Sequence, residues 1–168
     1  MFMLKQIRLA CVIMFWLTSP GYGQTRPVGP VILTVTGLDE SRFPGGQMAY
    51  DRDMLAALGE VSFTTSSIWT EGSHLFSGIL LSDLIRALKV DAPVLYLHAL
   101  NNYSIAFPVS EATSDAPLLA FTMDGAPMSV RDKGPVWVIY PYDSSAKYRT
   151  DQIFARSIWQ LDRIDLLR

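Results

Sequence analysis

Three polar segments of the sequence contain residues that could bind a ligand or take part in chemistry. The first is Arg131-Asp132-Lys133-Gly134-Pro135, in which two cations flank an acid and precede a glycine and a proline. Such a loop can direct backbone N–H groups and a guanidinium group at an anion. It can equally be a solvated turn whose charges pair with one another. The pattern leaves both interpretations open.

The second segment is Trp69-Thr70-Glu71-Gly72-Ser73-His74, a polar loop that begins with an aromatic residue. A serine beside a histidine could serve as a nucleophile and its base, but no nucleophile elbow and no third group accompany them. His98 lies too far along the chain to form a recognisable metal-ligand spacing with His74. We therefore take Trp69, Glu71 and His74 as candidate binding residues rather than as catalytic ones.

The third segment is Asn101-Asn102-Tyr103, which either places an amide and a phenol at a cleft or forms an ordinary turn. If the three segments converge, Arg131 would contact an anion and Trp69 would stack on a ring. Asn101 and Tyr103 would orient the ligand by hydrogen bonds, and Lys133 and Gly134 would complete the site. The expected ligand is an anionic or pterin-like small molecule.

The N-terminus has the layout of a secretory signal peptide. Lys5 and Arg8 precede the apolar run from Leu9 to Leu17, and Gly21-Tyr22-Gly23 provides small residues before a cleavage site. Because the run is shorter than the roughly 20 residues that span a bilayer, cleavage after Gly23 is favoured over an uncleaved anchor. The sequence therefore predicts a signal peptide over 1–23, a single domain over 24–168, and a periplasmic or secreted location.

Composition excludes several classes of protein. Of the 168 residues, 49% are hydrophobic and 18% are charged, and the formal net charge is −2. These values exclude a disordered chain and a nucleic-acid-binding protein of the basic-patch kind. Cys11, the only cysteine, would leave with the signal peptide. The mature chain would then contain no disulfide, no thiolate nucleophile and no cysteine metal ligand.

Short elements follow one another along the rest of the chain. Asp51 is expected to cap a short helix that Gly59 ends, and an apolar stripe predicts a clear helix near residues 80–88 with Leu84 and Ile85 in the core. Strands are predicted at 31–36, 61–68, 94–99, 103–107, 118–123, near 128, 136–140 and 159–166, a loop at 69–77, and a possible helix at 149–158. This pattern is typical of an α+β domain with a β-rich mixed sheet or barrel and a few short helices.

Several segments, taken in order, resemble the molybdopterin-binding domain of the sulfite oxidase family. The matching segments are Phe63-Thr64-Thr65, residues 76–85, residues 99–103, Leu119-Ala120-Phe121, Asp124-Gly125-Ala126-Pro127-Met128 and Gly134-Pro135. The resemblance covers about residues 31–166. The segment from Arg131 to Pro141 and the ending from Arg156 to Leu161 are similar to a short, secreted bacterial branch of this family. The resemblance implies a β-rich fold with a cofactor-sized cleft and molybdopterin as the possible cofactor.

The departures from this family suggest a different activity. Catalytic members bind molybdenum through a cysteine thiolate upstream of the glycine that Gly78 matches, whereas the corresponding stretch near Ser66 contains no cysteine. A serine hydroxyl is a harder and less acidic ligand than a thiol. The family's cofactor-contacting arginine is also not evident, although Arg131 or Lys133 could replace it.

Two functions follow from the resemblance and its departures. The first is an exported module that binds an anionic or pterin-like ligand, or a partner protein such as a membrane sensor, without molybdenum redox chemistry. The alternative is a molybdenum-pterin-dependent oxidoreductase with an unusual metal ligand. A structural interaction protein is a third possibility.

Overall fold

The computed structural model describes residues 26–167, so the predicted signal peptide and Cys11 lie outside the described residues. Within this range the chain forms ten β-strands and three α-helices, joined by short 3₁₀ turns. The strands are β1 (Leu33–Thr36), β2 (Gln47–Tyr50), β3 (Glu60–Ser67), β4 (Thr70–Leu80), β5 (Val94–Ala99), β6 (Ser104–Pro108), β7 (Leu118–Met123), β8 (Ala126–Pro127), β9 (Trp137–Ile139) and β10 (Leu161–Leu167). The helices are α1 (Arg52–Ala56), α2 (Leu81–Leu88) and α3 (Asp151–Arg156).

The strands form two sheets around one core. The first sheet has the order β2-β1-β10-β5-β6, and the second has the order β3-β4-β7-β8, with β9 also paired to β7. Only β1 and β10 pair in parallel; the other pairs in the described chain are antiparallel. Backbone hydrogen bonds from Val138 to Ile158 and from Leu161 to Val136 join the sheets near β9. The predicted α+β, β-rich fold is confirmed.

Two predicted hairpins form where turn residues allow a left-handed backbone. Asn102, between β5 and β6, has a φ of 67°. Asp124 and Gly125, between β7 and β8, have φ values of 50° and 80°. Asparagine, aspartate and glycine tolerate this region better than other residues, so these turns follow directly from the sequence.

The predicted helices form, with one change to the core. The Asp51 side chain caps α1 by accepting a hydrogen bond from the Met54 N–H at 2.9 Å. In α2, Leu84 is buried as predicted, but Ile85 is only half-buried and packs at the edge of the core. The buried stripe of α2 is instead completed by Leu81 and Leu88, one turn before and one turn after Leu84.

Two predicted boundaries were wrong. The segment from Trp69 to Ser77 was expected to be a loop, but from Thr70 onward it belongs to the long strand β4. Its polar residues show no apolar alternation, and the strand is held instead by pairing with β3 on one side and β7 on the other. The helix expected over 149–158 is shorter, because Thr150 caps α3 and the helix ends at Arg156.

Gly78 allows β4 and β7 to lie close together. A Cβ atom on this residue would lie 2.0 Å from the Leu119 carbonyl oxygen, far inside van der Waals contact. The glycine is therefore required by the sheet itself. Between residues 26 and 167, no helix is both long and apolar enough to cross a membrane.

Candidate functional site

A cavity of about 210 Å³ opens where the β3–β4 turn, the β5–β6 turn and the α3–β10 connection meet. Most of its wall is aromatic or aliphatic. The lining residues are Trp69, Asn101, Tyr103, Phe154, Ala155, Ser157, Ile158 and Trp159. The structure thus brings together three of the predicted site residues, Trp69, Asn101 and Tyr103, from segments that are distant in sequence.

Trp69 is held in the cavity wall by other rings. It lies in the turn between β3 and β4, and its backbone N–H donates to the Ser67 hydroxyl at 3.2 Å. Its indole makes edge-to-face contacts with Trp137, Tyr142, Phe154 and Trp159, at centroid distances of 5.7–6.3 Å. Aromatic pairs favour this geometry, so the ring is fixed in orientation while one side faces the cavity.

Asn101 and Tyr103 are placed by the β5–β6 turn. The Asn101 Oδ1 accepts a hydrogen bond from the Tyr103 backbone N–H at 3.0 Å, and the Tyr103 hydroxyl donates to the Ala155 carbonyl at 3.1 Å. No partner for the Asn101 amide NH₂ group is found in the described part of the chain. The cavity rim therefore offers a hydrogen-bond donor, and the Tyr103 oxygen can still accept.

A buried hydrogen-bond network supports the base of the cavity. Trp137 donates its indole N–H to the Ser157 carbonyl at 3.1 Å, and the Tyr142 hydroxyl donates to the Ser157 hydroxyl at 2.6 Å. Ser157 in turn donates to the Ile153 carbonyl at 2.8 Å. Burial raises the pKa of Tyr142 to about 12, so this phenol stays protonated and keeps donating.

Sequence reasoning missed most of the wall that α3 and its C-terminal connection supply. Phe154 and Ile158 have the apolar spacing of a helix end, and that signal is compatible with ordinary core packing. Aromatic and basic residues such as Tyr148, Arg149 and Trp159 in the C-terminal third suit a ring-binding region, but they equally suit a core with cations at its surface. The position of α3 against the β5–β6 turn depends on long-range contacts, which the sequence pattern does not contain.

The Arg131–Gly134 segment contributes less directly than predicted. Arg131 lies in an exposed 3₁₀ turn and does not line the cavity, and Asp132 accepts from Ser129 rather than pairing with Arg131. The Lys133 Nζ lies 5.5 Å from the Trp137 ring centroid and 5.7 Å from that of Trp159. Lys133 is therefore the cation of this loop that reaches the aromatic wall.

Gly134 is required for space and not for an unusual backbone angle. Lys133 adopts the left-handed conformation, with a φ of 75°, whereas Gly134 does not. A Cβ atom on Gly134 would lie 1.9 Å from the Met128 carbonyl oxygen. The small size of this glycine is therefore what the fold uses.

Glu71 and His74 lie outside the cavity lining, at the polar end of the β3–β4 hairpin. The His74 Nδ1 is 2.6 Å from the Asp124 Oδ2, and its Nε2 is 2.9 Å from the Glu71 carbonyl oxygen. The hydrogen bond with Asp124 raises the pKa of His74 and lowers the pKa of Asp124. The imidazole thus joins β4 to the β7–β8 turn, and the eight predicted site residues do not form one cluster.

Ser66, where the resemblance places the metal ligand, makes a two-point contact with Asp143. The Ser66 backbone N–H and hydroxyl donate to the two carboxylate oxygens of Asp143, each at 2.6 Å. The Asp143 N–H donates to the Thr65 hydroxyl at 3.2 Å. The Ser66 hydroxyl, followed by its N–H, holds the pKa of Asp143 below its usual range, so the carboxylate is ionised at neutral pH.

Metal-binding side chains do not cluster in the described range. Among residues 26–167, no group of three or more histidine, cysteine, aspartate or glutamate side chains is arranged to hold a metal ion. His98 lies on β5, with its Nε2 2.9 Å from the Asp165 Oδ2, apart from His74 on the other sheet.

A protein-family model matches the central part of the chain. Residues 52–148, more than half of the chain, match the family model described as the oxidoreductase molybdopterin-binding domain. The matched range begins at α1 and ends before α3, so it includes Ser66, Trp69 and the β5–β6 turn but not the α3–β10 part of the cavity. No curated protein matches the chain significantly.

Proposed function

We propose that this chain, which belongs to the family of oxidoreductase molybdopterin-binding domains, is an exported binding module that takes a small planar ligand and does not perform molybdenum chemistry. The observation that carries the proposal is the aromatic cavity of Trp69, Tyr103, Phe154 and Trp159. A second observation, the contact between Ser66 and Asp143, argues against the family's cofactor in its complete form.

The residues present do not fit a complete molybdenum-bound cofactor. The chain has no cysteine in the matched range of 52–148, and the Ser66 hydroxyl already donates to a carboxylate. The cavity of about 210 Å³ is also smaller than the roughly 300–1,000 Å³ of sites that enclose larger ligands. Its wall is apolar, whereas a phosphate-bearing cofactor needs several donors around its anionic end. The residues of this chain therefore do not support a molybdenum redox step.

The cavity dimensions favour a ligand of one or two fused rings. An apolar cavity of roughly 150 Å³ can hold benzene, so a site of about 210 Å³ accommodates a slightly larger planar molecule. The rings of Trp69 and Trp159 offer stacking surfaces, and the Asn101 amide offers a donor at the rim. A pterin-like heterocycle has this shape and carries hydrogen-bond acceptors. Lys133, which contacts the Trp159 ring, favours a ligand with an anionic substituent.

Titration with a fluorescent pterin tests the cavity. Pterin-6-carboxylate should quench tryptophan fluorescence saturably, and Tyr103→Ala should weaken its binding about tenfold, the equivalent of roughly 1.4 kcal/mol. Leu100→Ala is a matched control, because Leu100 lies in the same turn and is 49% exposed, against 45% for Tyr103, but does not line the cavity. Equal affinities in the wild type and Tyr103→Ala would contradict the assignment of the cavity.

Lys133 variants separate recognition of the ring from recognition of the anion. Lys133→Gln should weaken binding of pterin-6-carboxylate and leave unsubstituted pterin unaffected, whereas Lys133→Arg should retain both. If both probes respond equally to Lys133→Gln, the side chain supports the tryptophan rings and does not meet an anion.

Elemental analysis of the natively exported protein tests the alternative oxidoreductase. The proposal expects molybdenum far below one atom per chain in that preparation. The intact mass of the same sample checks the expected start at Gln24. Stoichiometric molybdenum would overturn the proposal and establish an unusual metal ligand.

A further inference from the structure

β3 is an unprotected strand at the edge of the second sheet. Its eight residues, Glu60 to Ser67, include no lysine, arginine or proline. The other outer strands of the described chain are shorter: β2 has four residues, β8 has two, and β6 has five and ends at Pro108. Proteins usually shorten or charge their edge strands because an open edge can pair with another strand. β3 shows neither kind of protection over most of its length.

Two contacts show which backbone groups of β3 face away from β4. On β3, the Ser66 N–H donates to Asp143, which is not in the sheet. On β4, the Leu75 N–H donates to the Asp124 side chain and the Leu75 C=O accepts from the Asp124 N–H, so both groups point away from β3. Because Thr64 pairs with Leu75 and backbone direction alternates along a strand, Glu60, Ser62 and Thr64 direct their N–H and C=O groups to the open edge. Within residues 26–167, no backbone hydrogen bond outside the strand pairings involves the N–H or C=O groups of Glu60, Ser62 or Thr64.

The same edge exposes apolar side chains next to the core. Val61 is 41% exposed, and Phe63 is half-buried beside the fully buried Phe76, its partner on β4. A strand added at this edge would cover Val61 and Phe63 while satisfying the free backbone groups. Beyond Thr64 the edge is closed, because Asp143 occupies the Ser66 N–H. The available edge is therefore the stretch from Glu60 to Thr64.

We propose that this edge pairs with the β3 edge of a second copy of the chain, antiparallel and centred on Ser62. This register uses all three outward-facing residues: Ser62 meets Ser62, and Glu60 meets Thr64 of the other copy. Glu60 is the only charged residue of β3, and the antiparallel arrangement keeps the two Glu60 carboxylates at opposite ends. Val61 then lies opposite Phe63, so each copy covers the other's exposed apolar side chains.

Sedimentation velocity of the mature chain tests the pairing. The wild type should show a concentration-dependent equilibrium between monomer and dimer. Ser62→Pro should remain monomeric at concentrations at which the wild type dimerises, because proline removes an outward N–H and leaves the bonds to β4 intact. Thr64→Glu should also weaken the dimer, because it places a second carboxylate opposite Glu60 of the other copy at each end of the pair. Circular dichroism and the melting temperature should establish that both variants are folded.

Cross-linking tests the register. In a chain carrying Cys11→Ser, Ser62→Cys should form a disulfide-linked dimer on mild oxidation, because facing residues of such a pair have Cα atoms about 5.5 Å apart. Ser77→Cys is the matched control, since Ser77 lies on β4, one strand in from the edge, where it pairs with Ser62. This variant should stay monomeric.

A wild type that is monomeric at all concentrations would overturn the proposal and leave the edge to a strand of another protein. A dimer that survives Ser62→Pro and Thr64→Glu would also overturn it. Ser62→Pro should still bind pterin-6-carboxylate as the wild type does. This measurement separates failure of the dimer proposal from failure of the proposed ligand site.

Discussion

Trp69 and His74 are close in sequence, but they belong to two different kinds of region. Trp69 belongs to an aromatic region formed by Trp69, Trp137, Tyr142, Phe154 and Trp159. His74 belongs to a polar hairpin end formed by Glu71, His74 and Asp124. The aromatic region draws its members from three separate stretches of the chain, near residue 69, at 137–142 and at 154–159, whereas the polar hairpin end joins β4 to the neighbouring β7–β8 turn. Proximity in sequence therefore did not indicate membership of one site.

The difference has a physical origin. Burial of a large ring excludes water from extensive surface and favours any arrangement that gathers such rings, whatever their distance along the chain. A hydrogen-bonded pair at the surface gains little, because water competes for the same groups. The aromatic region therefore determines where a cavity can form, and the polar hairpin end only fixes a turn.

Trp137→Ala should produce the largest loss of stability. The indole is fully buried, contacts Trp69 and Phe76, and donates to the Ser157 carbonyl. Truncation of such a ring typically costs about 3–5 kcal/mol, and urea unfolding would measure it. Glu71→Gln, in the polar hairpin end, should change the free energy of unfolding by less than about 0.5 kcal/mol. Similar costs for the two variants would remove the distinction between the regions.

Gly134→Ala should cause a loss of stability smaller than that of Trp137→Ala. It shows how closely the Arg131–Gly134 segment is packed beside the aromatic region. An added Cβ atom would collide with the Met128 carbonyl, and overpacking of this kind typically costs about 1–3 kcal/mol. Arg131→Ala, in the same loop, should be nearly neutral, because Arg131 is exposed. Thermal unfolding of both variants would measure the difference. A neutral Gly134→Ala would mean that the loop can move away from Met128.

Local signals in the sequence predicted a large part of the fold. The Asp51 cap and the Asn101-Asn102 and Asp124-Gly125 turns depend on the chemistry of one or two residues, so the sequence contains all that determines them. β4 was missed over Thr70 to Ser77 because its polar residues are held by pairing with β3, joined by β7 only from Phe76 onward, and pairing is a property of the sheet.

The candidate site was harder to predict than the fold. Trp69, Asn101 and Tyr103 were found because rings and amides in loops are typical of binding residues. Ser157 was missed because its role depends on Trp137 and Tyr142, which reach it only after the two sheets have joined. Asp143 was missed for the same reason, since nothing near it in sequence indicates a contact with Ser66.

His74→Gln should cost less stability than Trp137→Ala or Gly134→Ala, and the pH dependence of that cost distinguishes the polar hairpin end from the aromatic region. The hydrogen bond with Asp124 raises the pKa of His74 in the folded chain above the value of about 6.5 expected when unfolded. A raised pKa means that the folded state binds the proton more tightly. The stabilisation is therefore complete below the unfolded pKa and is lost as the pH rises through the folded pKa. The lowered pKa of Asp124 keeps its carboxylate ionised throughout this range.

Urea unfolding at a series of pH values, from mildly acidic to mildly alkaline, would measure the effect. The difference in unfolding free energy between the wild type and His74→Gln should be larger on the acidic side and smaller on the alkaline side. Asp124→Asn should flatten this slope, because the hydrogen bond with Asp124 is the largest cause of the raised pKa of His74. The penalty of Trp137→Ala should not change over the same range, because Trp69 and Phe76, whose rings pack against the indole, do not titrate. A flat difference for His74→Gln would show that the imidazole serves only as a neutral hydrogen-bonding group between β4 and the β7–β8 turn.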